Sequence, residues 1–109
     1  MIDAGRVVDP VAAEGHARGG AHMGLGAALS ERVVREGGVT RSLTIRSLGV
    51  IPAAATPPVA VRFRCTGPAL AGIAEACVAP VAAATMMATG GRSLPDPETA
   101  AARQVRRQR

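Results

Sequence analysis

At 109 residues, with one Phe, no Trp and no Tyr, the chain has little material for a large core, and alanine supplies much of its 48% hydrophobic content. Each buried Ala contributes far less apolar area than a Leu or Phe, so a robust, independently stable domain is not expected. The net charge of +5 gathers near the end, where Arg103, Arg106, Arg107 and Arg109 stand without an aromatic neighbour to stack on bases, which argues for a solvated tail over a nucleic-acid interface. Lys and Asn are absent, a bias that GC-rich coding DNA explains without function. The two cysteines, Cys65 and Cys77, form no CxxC pair. Met1–Arg6 lacks the apolar core of a secretion signal, and the apolar run 76–88 is too short for a bilayer and holds Pro80. A cytoplasmic location with reduced thiols is the expectation.

In chain order, residues 1–8 read as the end of a strand. Asp9-Pro10 is a helix-start signal, and Val11 to about Ser30 reads as a helix rich in small residues. Its glycines, Gly15, Gly19, Gly20, Gly24 and Gly26, each cost about 0.5–1 kcal/mol relative to Ala in a helix interior, so close approach of a backbone or a ligand is expected there. Glu31–Glu36 and Val39–Ile45 predict a hairpin about Gly37-Gly38. Residues 46–55 read as loop. Val59, Val61, Phe63 and Cys65 alternate with Arg62 and Arg64, which predicts a strand. Ile73 to Ala88 reads as a second helix with Pro80 in an early turn, closed by Gly90-Gly91. Asp96-Pro97 predicts a last short helix. The expected fold class is α+β: two helices and three or four antiparallel strands between Glu31 and Cys65. The expected division is a main unit over 1–95 and a short helix with a basic tail over 96–109.

The order of several blocks resembles the large subunit of the molybdenum hydroxylases, the xanthine dehydrogenase and aldehyde oxidase type. Asp3, Gly5, Pro10, Gly15, Gly19, Gly20, Gly24, Leu25, Gly26, Ala28, Leu29 and Glu31 fall in register with the glycine-rich stretch of that family. Ser47-Leu48-Gly49-Val50-Ile51-Pro52, Pro57-Pro58-Val59, Gly72-Ile73-Ala74-Glu75, Ala79-Pro80 and Gly91-Arg92-Ser93-Leu94-Pro95 follow in family order. The resemblance implies a C-terminal part of a molybdopterin-binding domain. It also implies that Glu75 is the catalytic general base and that Gly15, His16, Gly19, Gly20 and Gly72 contact the cofactor. His16 stands where the family has Gln, and Ala74 where it has the second Gly of Gly-x-Gly-Glu. The aromatic-Gly-Ala-Lys run that precedes that motif is replaced by the shorter Ala69-Leu70-Ala71.

By the same resemblance the cofactor is molybdopterin, held only together with the remainder of the large subunit, and the further partners are FAD and iron–sulfur subunits or domains. Read without the family, Glu75 is a first-turn acid favoured by the helix dipole. Metal ligation by His16 and His22 is disfavoured, since a spacing of six separates them around a helix. Gly24-x-Gly26 lacks the third glycine of a dinucleotide fingerprint. Two other readings stay open: a non-catalytic remnant or interaction domain, and a small basic nucleic-acid-binding protein.

Overall fold

The computed structural model describes residues 1–68 and 72–91. Over them the order is β1 (Ile2–Asp3), α1 (Pro10–Leu29), β2 (Arg35–Glu36), β3 (Val39–Thr40), a single 3₁₀ turn at Ala53–Ala55, β4 (Phe63–Arg64) and α2 (Ala74–Ala88). The architecture is α+β. No helix among the described residues is long and apolar enough to cross a membrane. The expected helix at Asp96-Pro97 lies outside the described residues.

Helix α1 starts where its sequence says it should. The Asp9 carboxylate accepts from the N–H groups of Val11 (2.9 Å) and Ala12 (3.1 Å), and Pro10 occupies the first turn, where its missing N–H is not needed. At the far end the Ser30 hydroxyl donates to the Gly49 carbonyl at 2.6 Å, fastening the helix to the 44–49 turn. Helix α2 has no side-chain cap, and Pro80 sits inside it, deeper than the early turn expected. Proline removes one i→i−4 bond there.

The helices pack against each other through glycine. A Cβ at Gly24 would lie 2.5 Å from the Val78 carbonyl oxygen and 3.0 Å from the Val81 Cβ, and one at Gly20 would collide with the Ala74 carbonyl. Only hydrogen fits at either place. The buried apolar residues are correspondingly small: Ala4, Ala13, Ala17, Ala21 and Cys77, with no large side chain fully buried among the described residues. Val11, Leu43 and Met87 are each at least 80% exposed.

The strands differ from expectation in two ways. β4 pairs in parallel with β1, Ile2 opposite Phe63 and Asp3 opposite Arg64, instead of joining an antiparallel meander. The hairpin about Gly37-Gly38 forms, both glycines at positive φ as a type I′ turn requires, but only Arg35–Glu36 and Val39–Thr40 pair as strands. One further bond extends it, from Arg41 N–H to the Val34 carbonyl at 2.9 Å, and beyond that the backbone groups are engaged elsewhere. Arg32 N–H donates to the Leu48 carbonyl, and Val34 N–H to the buried Ser42 hydroxyl at 2.9 Å. Thr44 and Ser47 bond each other's backbone and turn the chain away.

Two expectations follow. Gly24→Val forces the α1–α2 contact apart, and overpacking of this kind costs about 1–3 kcal/mol. Gly19→Ala, where an added Cβ meets nothing, removes a helix-interior glycine and stabilises by about 0.5–1 kcal/mol. Urea titration of helical ellipticity should therefore move the two midpoints in opposite directions. The second concerns β1. The Thr66 hydroxyl and the Gly5 N–H both donate to the Asp3 carboxylate and, with the Arg64 charge, hold its pKa below the ordinary value. The folded pKa is depressed, so this tether is present above the ordinary carboxylate range, about pH 4, and is lost as pH falls through the lower folded value. Asp3→Asn should flatten that acid limb of the stability profile, and an unchanged limb would show that the tether contributes nothing.

Candidate functional site

The glycines of α1 fall on two sides of the helix. Gly20 and Gly24 face α2. Gly15 and Gly19, one turn apart, have no described residue within 4 Å of an added Cβ. Beside them lies a shallow depression of about 430 Å³ lined by Ala12, Gly15, His16, Gly19, Gly20, Met23 and Ala74. Four of the five residues expected at the cofactor therefore border one concavity. The fifth, Gly72, is exposed two residues before α2 and does not line it.

The depression ends at the start of α2. Ala74, on its wall, is the first residue of that helix, and its carbonyl is the atom pressed against Gly20. Glu75 follows in the first turn with an exposed side chain. Close contact at Gly20 thus fixes the residue before the candidate base against the glycine helix. A first-turn carboxylate there is also favoured by the helix dipole. The thiol of Cys77, one turn on, donates to the Ile73 carbonyl at 3.1 Å and is buried in the helix–helix contact.

A second concavity, of about 490 Å³, opens on the other side of Gly19, between α1 and the 53–59 segment. Here His22 Nδ1 is 2.8 Å from the Thr56 hydroxyl, which also donates to the Pro52 carbonyl. The bond ties α1 to the segment that follows the 3₁₀ turn. Sequence reasoning missed this role. The spacing of His22 from His16 disfavours a shared face, but a partner 34 residues away carries no local signal. Arg18, on the same rim, forms a 2.6 Å ion pair with Glu14 one turn back. No group of three or more potential metal-ligating side chains occurs among the described residues.

The glycine helix, the turn that precedes it and the segment that fastens its C-terminus together fall in residues 1–57, and these match the molybdopterin cofactor-binding domain family. The chain belongs to that family. The match covers just over half of the chain and ends before β4 and α2. No curated protein sequence and no solved structure matches the chain. Membership supports a molybdopterin-dependent, oxidoreductase-type function in general terms.

The residues present fit such a cofactor at one point that can be tested. Gly15 and Gly19 leave bare helix backbone, although neither is needed for packing against the described residues. A planar group can lie against such a surface, and a side chain would take its place. The double replacement Gly15→Leu/Gly19→Leu should leave helical ellipticity intact or raised, because Leu is the better helix former. Molybdenum retained per chain in the assembled protein should fall by an order of magnitude or more. Retention at the unaltered level would show that the cofactor does not use this face.

Proposed function

We propose that the chain supplies part of the cofactor-binding and catalytic surface of a molybdenum hydroxylase of the xanthine dehydrogenase and aldehyde oxidase type, acting on a heterocycle or an aldehyde. Activity requires the remainder of the large subunit, with FAD and iron–sulfur subunits or domains as further partners. The observation that carries the reading is the convergence of Gly15, His16, Gly19 and Gly20 with Ala74, the residue before Glu75, around one depression. The family match covers the α1 side of that depression. The α2 side rests on the resemblance of Gly72-Ile73-Ala74-Glu75 to the family's motif.

In this reading Gly15, Gly19 and Gly20 let the pterin approach the helix backbone, and Gly72 borders it from the segment before α2. His16, where the family has Gln, offers a ring N–H to a cofactor acceptor over a shorter reach. When bound, the cofactor supplies the two-electron redox centre. The chain's own chemical contribution is Glu75. Its carboxylate takes the proton from the water-derived oxygen that attacks the substrate carbon, which requires hydrogen-bond reach to that oxygen. Its exposed position in this structure leaves it available to a substrate brought by the rest of the subunit.

A second reading, a non-catalytic domain that keeps the family's fold, is favoured by Ala74, which stands where the family has glycine. Turnover separates the two. In a complex reconstituted with the remainder of the subunit, Glu75→Gln should lower hydroxylase turnover by about 10²–10⁴-fold at equal molybdenum content, the usual size of general-base help. Equal rates for the two chains would remove Glu75 from the chemistry, and an inactive wild-type complex at full molybdenum loading would favour the non-catalytic reading.

A further inference from the structure

The β1–β4 pair is a two-stranded parallel sheet, and no other strand among the described residues pairs with its outer edges. Ile2 N–H donates to the Arg62 carbonyl (2.9 Å) and Ala4 N–H to the Arg64 carbonyl (3.1 Å). With Arg62 and Arg64 turned toward β1, the alternation of a strand directs the backbone N–H and carbonyl of Phe63 to the opposite edge. Parallel strands are normally covered on both faces and flanked by further strands, and two strands alone are marginal. Between this layer and the helix pair runs an apolar groove of about 620 Å³, lined by Ala17 and Leu25 of α1, Val81 and Ala84 of α2, and Val61 on the strand side.

β4 already displays the chemistry it pairs with. On its occupied edge it faces a strand in which an apolar residue is followed by an acid: Ile2 lies opposite Phe63 and Asp3 opposite Arg64. Val61 and Phe63 are half-buried while Arg62 and Arg64 are exposed, so the inner and outer rows are apolar and cationic respectively. The Arg64 charge acts on Asp3, and Arg62 has no acidic partner among the described residues. The groove is lined by Val61 and Arg62 and stops short of Phe63, so it lies beside the part of the edge that precedes Phe63.

We propose that the outer edge of β4 receives an extended segment of another polypeptide in which apolar residues alternate with acidic ones. The apolar side chains enter the groove between Val61 and the helices. The acids meet Arg62 and Arg64, and the backbone completes the ladder at Phe63. Cross-strand pairs of opposite charge stabilise such an addition, and strand addition at an open edge is a recurrent mode of peptide recognition. A small apolar molecule would fill the groove but leave the edge and the cations unmet.

The test titrates the full chain with a short acetylated, fluorescent peptide alternating valine with glutamate. Two comparison peptides replace glutamate by lysine, or carry N-methyl groups on alternate amides in one or the other phase. The glutamate peptide should bind about tenfold or more tighter than the lysine peptide, and its affinity should fall with salt, as expected of exposed charges. One phase of N-methylation should abolish binding, because it removes the donors directed at β4. Arg62→Glu/Arg64→Glu should reverse the preference toward lysine. The peptide comparisons use the unaltered chain, so they decide the matter even if that double variant fails to fold. Equal binding of the glutamate and lysine peptides, insensitivity to both N-methylated forms, or no saturable binding overturns the proposal. So does self-association of the chain in sedimentation that the glutamate peptide does not reverse, since the edge would then belong to a second copy.

Discussion

The approach of two helix backbones at Gly20 and Gly24 is the constraint on which the rest of the structure depends. The carbonyls of Ala74 and Val78 occupy the space that side chains would otherwise take on α1. Contact this close rewards small residues along the whole interface, which is why the buried set is Ala13, Ala17, Ala21 and Cys77. It also limits the energy available. Apolar burial contributes in proportion to area, at about 25 cal/mol per Å², and alanines bring little area. The close packing therefore sets the position of α2 tightly while giving it modest thermodynamic support, and the half-exposed groove beside the strands reflects the same shortage of large side chains.

The two contacts that organise the chain both cross the end of the family match. β1, inside it, pairs with β4 outside it, and α1 packs on α2. Residues 58–68 and 72–91 are thus structurally complementary to the matched half even though the match stops at residue 57. The tether between Asp3 and Thr66 spans the same boundary. The placement of Glu75 depends on this interlock, because α2 has no side-chain cap to define its start and takes its position from Gly20.

Much of this was legible in the sequence where the signal is local. Asp9-Pro10 announced α1, Gly37-Gly38 the turn of the hairpin, and the alternation around Phe63 a strand. The density of glycine in α1 announced a close backbone approach, which the structure places at Gly20 and Gly24. Pairing partners were not legible. Whether the strand at Phe63 would lie antiparallel to its neighbours in sequence or parallel to β1 depends on contacts some 60 residues apart. The alternating pattern is identical in both cases. The hairpin was overextended for a related reason: Val34, Leu43 and Ile45 have strand-like residue types, but the Ser42 hydroxyl and the Thr44–Ser47 turn compete for the same backbone groups.

The glycines of α1 carry the most information once divided by what surrounds them. Gly26 meets only the flexible Glu31 side chain, while Gly20 and Gly24 are explained from within the chain by the backbone carbonyls of α2. Any helix crossing as tight as this one would select them, and they say nothing of a ligand. Gly15 and Gly19 have no such explanation. Each weakens the helix by about 0.5–1 kcal/mol relative to Ala, each could accept a side chain without touching a described residue, and both border the depression that ends at Ala74. Two such costs on one face are what the proposed cofactor contact would explain. By the resemblance Gly15, Gly19 and Gly20 meet the cofactor, whereas the structure packs Gly20 and Gly24 against α2 and leaves Gly15 and Gly19, with Gly20, bordering the depression.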